Sequence, residues 1–437
     1  MAGAPNTEAG PAPGPEADPA PDPSADTATD TDVVVVGAGP VGLLLAGELR
    51  LGGARVTVLE QLTEPTTESR ASTLHTRTME ILEERGLLAR LGTLPSGGPG
   101  HFGGMRLDLT AADPGHRWAG QWKCAQARLE SVLHDWATEL GARVLRGHVV
   151  TGLRPRADRI EAGFATLGAT ARGTGTGTTG TGLLSASYLV GCDGERSTVR
   201  QLAGFEVAGQ DGGLEMLRAD VAGIDIPDRR FERLPNGLAT AHRWPDGSTR
   251  VMVHVYGSGA ARRTGPPSLA EVAAAWKLVT GEDIGAGTPV WLNAFDNTSL
   301  QAARYVKGRV LLAGDAAHAQ MPVGGQALNL GLQDAADLGP KLAARITGQD
   351  PAAPDGAGSA LLESYHATRH RIGAATLTNI QAQARLLLGG PEVDGLRAVF
   401  GDLLTIGPAR RHLARAISGL GHADTTTEEP TPREAAA

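Results

Sequence analysis

Asp32-Val33-Val34-Val35-Val36-Gly37-Ala38-Gly39-Pro40-Val41-Gly42 is the stretch on which the fold of this chain turns. Four consecutive β-branched residues read as a strand buried on both faces, the pattern of a parallel sheet. The strand opens directly onto Gly37-x-Gly39-x-x-Gly42 and then an apolar helix over 43–51. A second run, Arg55-Val56-Thr57-Val58-Leu59, ends at Glu60, 18 residues beyond Gly42, and completes a βαβ unit. Glycines at this spacing let the backbone turn tightly and bring N–H groups against a dinucleotide pyrophosphate at a helix N-terminus. A carboxylate at the end of the second strand can accept hydrogen bonds from an adenosine ribose. The expected dinucleotide contacts are Gly37, Gly39, Pro40, Val41, Gly42, Glu60 and Gln61, and this motif alone does not separate FAD from NAD.

Working outward, composition narrows the function classes. The chain has 437 residues and is 41% hydrophobic, sufficient for two or three packed domains. Its net charge of -8 and the absence of any Lys/Arg block argue against a nucleic-acid partner and for a small molecule. Cys124 and Cys192 are the only cysteines, too few for a disulfide framework and without metal-ligand spacing, which fits a reducing cytoplasm and no metal. No apolar run approaches the roughly 18 residues of a membrane span, so no membrane partner is expected. Residues 1–31 lack the basic and apolar regions of a secretory signal and, like 423–437, read as a disordered tail.

The organisation is α/β: a Rossmann-like, doubly wound domain over 32–205 and 301–350, interrupted at 206–300 by short alternating strands. These strands, such as Arg250-Val251-Met252-Val253-His254-Val255-Tyr256 with a turn at Pro245-Asp246-Gly247, read as an inserted antiparallel β-sheet substrate domain. Helices are expected over 73–90, over 126–140 and throughout a C-terminal segment at 351–422. The low-complexity stretch 168–182 reads as a mobile hairpin or loop without chemistry.

Two later stretches choose the cofactor. Gly308-Arg309-Val310-Leu311-Leu312-Ala313-Gly314-Asp315-Ala316-Ala317-His318 places a carboxylate, Asp315, just beyond a buried strand, where it can bond a ribityl hydroxyl. In Pro322-Val323-Gly324-Gly325-Gln326-Ala327-Leu328-Asn329 the glycines begin a helix whose positive end can approach a flavin pyrimidine edge. With Gly191-Cys192-Asp193-Gly194-x-x-Ser197-x-Val199-Arg200 between them, the chain resembles the single-component FAD-dependent aromatic-ring monooxygenases, of p-hydroxybenzoate hydroxylase-like fold, and most of all the aromatic polyketide hydroxylases. The resemblance covers about 32–420. It implies FAD contacts from Arg70, Gln126, Val150, Asp193, Asp315, Pro322, Gly324, Gly325, Leu328 and Asn329. It also implies a cycle in which NADPH, or NADH, transiently reduces FAD, O2 adds at flavin C4a, and the resulting hydroperoxide hydroxylates a phenolic aromatic polyketide in antibiotic biosynthesis.

Departures from the family pattern are Ala327 and Pro340, where the family has Gly and often Trp. Pro340 after Gly339 is expected to end or kink a helix. The chain also stops near Ser418-Gly419-Leu420, about where relatives continue into a thioredoxin-like third domain, so an architecture without that domain is expected. A homodimer or a pathway partner enzyme is compatible with it. Plainer readings attach to single residues: His318 as a structural hydrogen-bonder, Cys192 as packing, and His242, His254 and Tyr256 as sheet residues, some facing a cleft. Arg200 reads as structural near the cofactor. No catalytic base is assigned. Alternatives within this fold are a Baeyer-Villiger oxygenase, a non-oxygenating oxidoreductase, and a non-catalytic partner of another hydroxylase.

Overall fold

The computed structural model describes residues 31–66, 71–168, 178–350 and 359–421. Its centre is a six-stranded sheet in the order Val306–Lys307, Val310–Leu312, Tyr188–Gly191, Val33–Val36, Val56–Glu60, Arg143–Arg146. All neighbours are parallel except the first pair. The four valines of Val33–Val36, in the middle of that order, are buried throughout, as a strand covered by helices on both sides must be. Thr31, assigned to the N-terminal tail on sequence grounds, is instead buried. Its hydroxyl donates to the Val33 and Arg55 carbonyls, which pins the entry to the first strand.

The helix Pro40–Leu51 packs between the helices Gln126–Glu139 and Gln326–Ile346. The second contact runs past Pro340. The expected break there does not occur: Pro340 lies inside a single 21-residue helix. Its ring is exposed, while Gly339 is turned inward against Glu48, so the ring meets solvent rather than the core. The expected helix over 73–90 is also corrected. Thr73–His75 is a strand paired with Gln121–Lys123, followed by helices Thr76–Glu84 and Leu87–Leu91. Gly86, at φ 69°, turns the chain between the two helices.

The low-complexity stretch is flanked by a hairpin's arms, Ile160–Leu167 and Thr178–Ala186, which pair antiparallel; 169–177 lie outside the described residues. A second layer is a five-stranded antiparallel sheet in the order Arg229–Leu234, Gly237–Arg243, Thr249–Val255, Glu215–Ala222, Thr288–Asp296. Side chains alternate across most of it, with irregularities in register at Asp220/Val221 and at Arg229/Glu232. Leu217, Ala219, Val221, Ala239, Ala241, Val251 and Val253 bury themselves under the helix Leu269–Thr280 and its Trp276. Their sequence neighbours face the opposite way, towards the central sheet. A three-stranded ladder, Val207–Gln210, Ser299–Ala302 and His318–Gln320, links the two layers.

The helix Ala360–Leu388 lies across both layers. Tyr365 donates from its hydroxyl to the Leu312 carbonyl of the central sheet (2.7 Å). Arg233 of the insert donates to the Gly389 and Gly390 carbonyls and to Asp394 at 2.7–2.9 Å. Of the last helices, Asp394–Thr405 is tied to the insert by Arg233, and Gly407–Ser418 packs on the 3-10 turn Leu109–Ala112 through Ala414 and Ile417. Among the described residues, no helix is long and apolar enough to cross a membrane.

The tightest helix contact is testable. A Cβ at Gly47 would fall 1.9 Å from the Trp136 ring. We expect Gly47→Ala to overpack this contact and cost roughly 1–3 kcal/mol, read as a lower urea midpoint at unchanged slope.

Candidate active site

The strand ends converge. Gly37 donates its N–H to the Leu59 carbonyl (2.8 Å), Cys192 to that of Val36 (2.8 Å) and Ala313 to that of Gly191 (3.0 Å). Three motifs separated by more than 250 residues of sequence therefore leave the sheet side by side at its C-terminal edge, where open α/β sheets bind ligands.

At the first motif the three glycines serve different ends. Gly37 has φ 103° and passes so close to the Cys192 carbonyl that a Cβ would lie 2.4 Å from its oxygen. A Cβ at Gly42 would lie 2.0 Å from the Gly37 carbonyl oxygen. Gly39, the residue before the helix Pro40–Leu51, meets nothing within 4 Å, so its face is open. This helix has no side-chain cap, and neither does Gln326–Ile346, which starts at Gly325. Ser197, Ser268 and Ser359 cap other helices of the chain. The uncapped ends leave backbone N–H groups and the positive end of each helix for an anionic or electron-rich group.

Glu60 is buried, and its carboxylate accepts the N–H groups of Ala38 (2.7 Å) and Leu62 (2.8 Å). Its position is thus locked beside the glycine turn. Pro40 is buried and Val41 partly so, its side chain wedged against Gly314 and Gly331, while Gln61 is exposed. Arg70 lies outside the described residues. Gln126 accepts the Ala71 N–H and donates to Glu130 (2.8 Å), and Val150 sits in the main core.

The Asp193 carboxylate is turned back on its own loop, accepting from the Ser197 hydroxyl (2.5 Å) and the Val199 N–H (3.0 Å). Burial raises its pKa despite these donors. Arg200 donates to the carbonyls of Ala316 (2.9 Å) and Glu195 (2.7 Å), tying this loop to the Asp315 motif. The neighbouring Cys192 thiol is pushed well above its ordinary value by burial and by the nearby Asp193 and Asp334, which suits packing and not nucleophilic chemistry. Asp315 has no hydrogen-bond partner among the described residues, and burial raises its pKa.

Sequence reasoning missed the group that holds this motif in place. Asp334 is fully buried and accepts from the Gly314 N–H (3.0 Å), His318 Nε2 (2.6 Å) and Arg369 Nε (2.6 Å). Burial alone would raise its pKa, but Arg369 and His318 hold the carboxyl below the ordinary value. The available signal was a carboxylate on the apolar stripe Leu330, Ala335, Leu338, Leu342, a place that demands a buried partner.

Gly324 and Gly325 take consecutive left-handed conformations, φ 66° and 70°. Asn329 fixes this turn. Its side chain donates to the Thr73 and Gly325 carbonyls (2.9 and 2.7 Å) and accepts the His75 N–H (2.8 Å). Pro322, Gly324, Gly325, Ala327 and Leu328 line one end of a cavity of about 1200 Å³. The opposite wall is the free face of the insert sheet, with Met216, Arg218, Asp220, Arg250, Met252, Trp291 and Phe295. There Arg250 pairs bidentately with Asp220 (2.7 and 2.7 Å), and the Arg218 guanidinium lies 4.5 Å from the Trp291 ring centroid. His242 joins this wall, whereas His254 is buried with Nδ1 2.7 Å from the Glu215 carbonyl. The volume exceeds the roughly 300–1,000 Å³ of an ordinary small-ligand pocket, enough for a flavin ring and an aromatic substrate together.

Residues 30–380 match the FAD binding domain family. The chain is 40% identical over 411 residues to the 12-dehydrotetracycline 5-monooxygenase/anhydrotetracycline 6-monooxygenase of Streptomyces rimosus, covering 89% of this chain and 76% of that one. The chain belongs to the FAD-dependent aromatic hydroxylase family. This FAD-dependent monooxygenase also superposes on CabE, an aromatic hydroxylase from angucycline biosynthesis, with TM-score 0.82, 44% identity, and 90% and 76% of the two chains covered. A dialkyldecalin synthase of Streptomyces rugosporus is 33% identical over 397 residues, 89% of this chain and 80% of that one. The residues present fit FAD: an open glycine face, two helix starts without a side-chain cap, and between them Asp315, which has no hydrogen-bond partner among the described residues.

We expect Gly39→Val to leave the unfolding midpoint of the FAD-free chain in place and to weaken FAD at least about tenfold in a fluorescence titration, because its face is open. Gly42→Val should instead lower the midpoint of the free chain. Asp334→Asn should cost about 3–5 kcal/mol by leaving Arg369 unpaired. Because the folded carboxyl titrates below its ordinary 3.8, its contribution is complete above that pH and is lost as pH falls further. The stability gap between wild type and this variant should therefore be constant from pH 5 to 7 and narrow below 3.8 in urea titrations.

Proposed function

We propose that this monooxygenase uses NAD(P)H and O2 to hydroxylate a phenolic aromatic polyketide in the cytoplasm. The observation that carries the reading is the cavity: one end is built by the flavin-motif residues Pro322 to Leu328, the other by an aromatic and cationic sheet face. A flat, oxygen-bearing ring fits between such walls, since Arg218 against Trp291 and Phe295 makes a planar cationic and aromatic surface, with Arg250 balanced by Asp220 beside it. The relatives named for tetracycline and angucycline chemistry support this substrate class.

When bound, FAD supplies the transfer of electrons from the nicotinamide to oxygen and of one oxygen atom to the ring. The chain's own part is to bind, orient and enclose. The backbone at Gly37, Gly39, Pro40, Val41 and Gly42 would receive the pyrophosphate, and Glu60 with Gln61 the adenosine ribose. Arg70, Gln126, Val150 and Asp193 would border the cofactor, with Asp193 acting through the loop it caps. Asp315 would bond the ribityl chain. The Gly324–Gly325 turn, locked by Asn329, would set the pyrimidine edge against the N-terminus of the helix Gln326–Ile346. The helices Ala360–Leu388 and Gly407–Ser418, which reach the cavity at Leu387 and Ile417, would keep water from the reacting ring.

Kinship with a dialkyldecalin synthase supports a second reading, in which the loaded cavity transforms its substrate without oxygen transfer. The two separate cleanly. Purified protein given FAD, NADPH, 18O2 and an angucycline or anthraquinone phenol should form a product heavier by one 18O in place of a ring hydrogen. A lactone carrying one 18O would indicate ring insertion. A product without label, or no stimulation of NADPH oxidation by any phenol, would sink the hydroxylase reading.

A further inference from the structure

His101 stands in the strand Gly100–Phe102, which forms a hairpin with Met105–Leu107, and it lines the cavity. The strand packs on the Val323–Gly325 turn, so this side chain stands where the flavin-motif end of the cavity meets the edge strand Arg229–Leu234 of the insert sheet. The hairpin is firmly held. Gly103 donates its N–H to Gln383 (3.2 Å), Arg397 donates to the Gly103 carbonyl (2.6 Å), and Arg230 to that of Gly100 (3.2 Å). The imidazole itself packs 4.3 Å, centroid to centroid, from Phe231.

The ring's proton can be placed. The Gly104 N–H donates to His101 Nδ1 (3.2 Å), which makes Nδ1 the unprotonated nitrogen and puts the single proton of the neutral ring on Nε2. Nε2 has no partner among the described residues. Burial, with Arg230, Lys123 and His75 facing it, pushes the ring's pKa down to about 4, so it stays neutral at ordinary pH. Lys123, which donates to the Thr73 hydroxyl (2.8 Å), lines the same cavity and adds positive potential there.

We propose that His101 orients the substrate: its Nε2–H donates a hydrogen bond to a carbonyl or phenolate oxygen on the aromatic ring system and so selects which ring carbon faces the flavin. This rests on the reading of the substrate as an oxygenated aromatic. A neutral donor suits that task, because it offers a fixed direction without the cost of burying a cation when no substrate is bound.

The test uses the FAD-loaded protein and two probes of one ring frame, 1,8-dihydroxyanthraquinone and anthracene, titrated by flavin fluorescence. His101→Phe should weaken the dihydroxyanthraquinone about tenfold and leave anthracene within about twofold, while His101→Gln, which keeps an N–H donor, should stay within about threefold of wild type for both. Equal loss on both probes, or no loss on either, would overturn the proposal. A second measurement needs no substrate: imidazole nitrogen NMR of the FAD-loaded wild type, with His101→Gln for assignment, should show the proton on Nε2 and no titration above pH 5. A proton on Nδ1, or titration near 6.5, would overturn the role of His101 and leave the hydroxylase reading standing. Wild type that binds neither probe would instead remove the aromatic-substrate reading, and this proposal with it.

Discussion

A single carboxylate, that of Asp334, holds the floor of the site together. It is sealed from water and accepts from the Gly314 backbone, from His318 and from Arg369, so the Asp315 turn, the helix Gln326–Ile346 and the helix Ala360–Leu388 share one anchor. A buried charge is tolerated only when its partners are correctly placed, which makes the anchor a demand on geometry as much as a source of attraction. Arg369 also donates to the Leu330 carbonyl (3.0 Å), and Arg200 reaches the Ala316 carbonyl from the other side. The turn carrying Asp315 is therefore clamped from two directions, while its own carboxylate has no hydrogen-bond partner among the described residues.

The Asp334 anchor was not legible in the sequence, but much of the frame around it was, and the reason is local. The valine strand, the three glycines and Glu60 lie within 30 residues, and each is constrained by its immediate neighbours: a turn, a helix start, a strand end. The same is true of Gly324, Gly325 and Asn329. What escaped were features decided by distant partners. Asp193 reads as a cofactor residue in its motif, but that its carboxylate also accepts from Ser197 and Val199 and so shapes its own loop shows only in the fold. Thr73–His75 falls in a segment with helical periodicity, but pairing with Gln121–Lys123 and the reach of Asn329 draw it into a strand. Pro340 violates a helix rule locally and survives because its ring faces outward and the helix is held by packing on both flanks. His101 carries no motif, and only the tertiary placement of its hairpin brings it into the cavity.

The division of labour between the two layers follows from how each is built. Parallel strands bring backbone turns to one edge, and backbone N–H groups recognise a cofactor whatever the surrounding side chains. The antiparallel insert presents side chains instead, and Arg218, Arg250, Trp291 and Phe295 make a surface whose chemistry is set residue by residue. One layer is therefore conservative in what it can hold and the other is free to vary.

That freedom has a particular form. Along each insert strand, residues facing the cavity alternate with residues buried under the helix Leu269–Thr280. Exchanging Met216, Arg218, Thr240 or Met252 alters one wall and leaves Leu217, Ala219, Ala239 and Val253 in place beneath it. Adding or removing one residue within a strand would swap the two faces, exposing the core and burying the arginines. Descent within this architecture is thus channelled: new ligand preferences are reached through point replacement at fixed strand length, and changes in length are confined to the turns, such as Pro245-Asp246-Gly247, where they move the cavity rim at Asp246 without exchanging the two sheet faces.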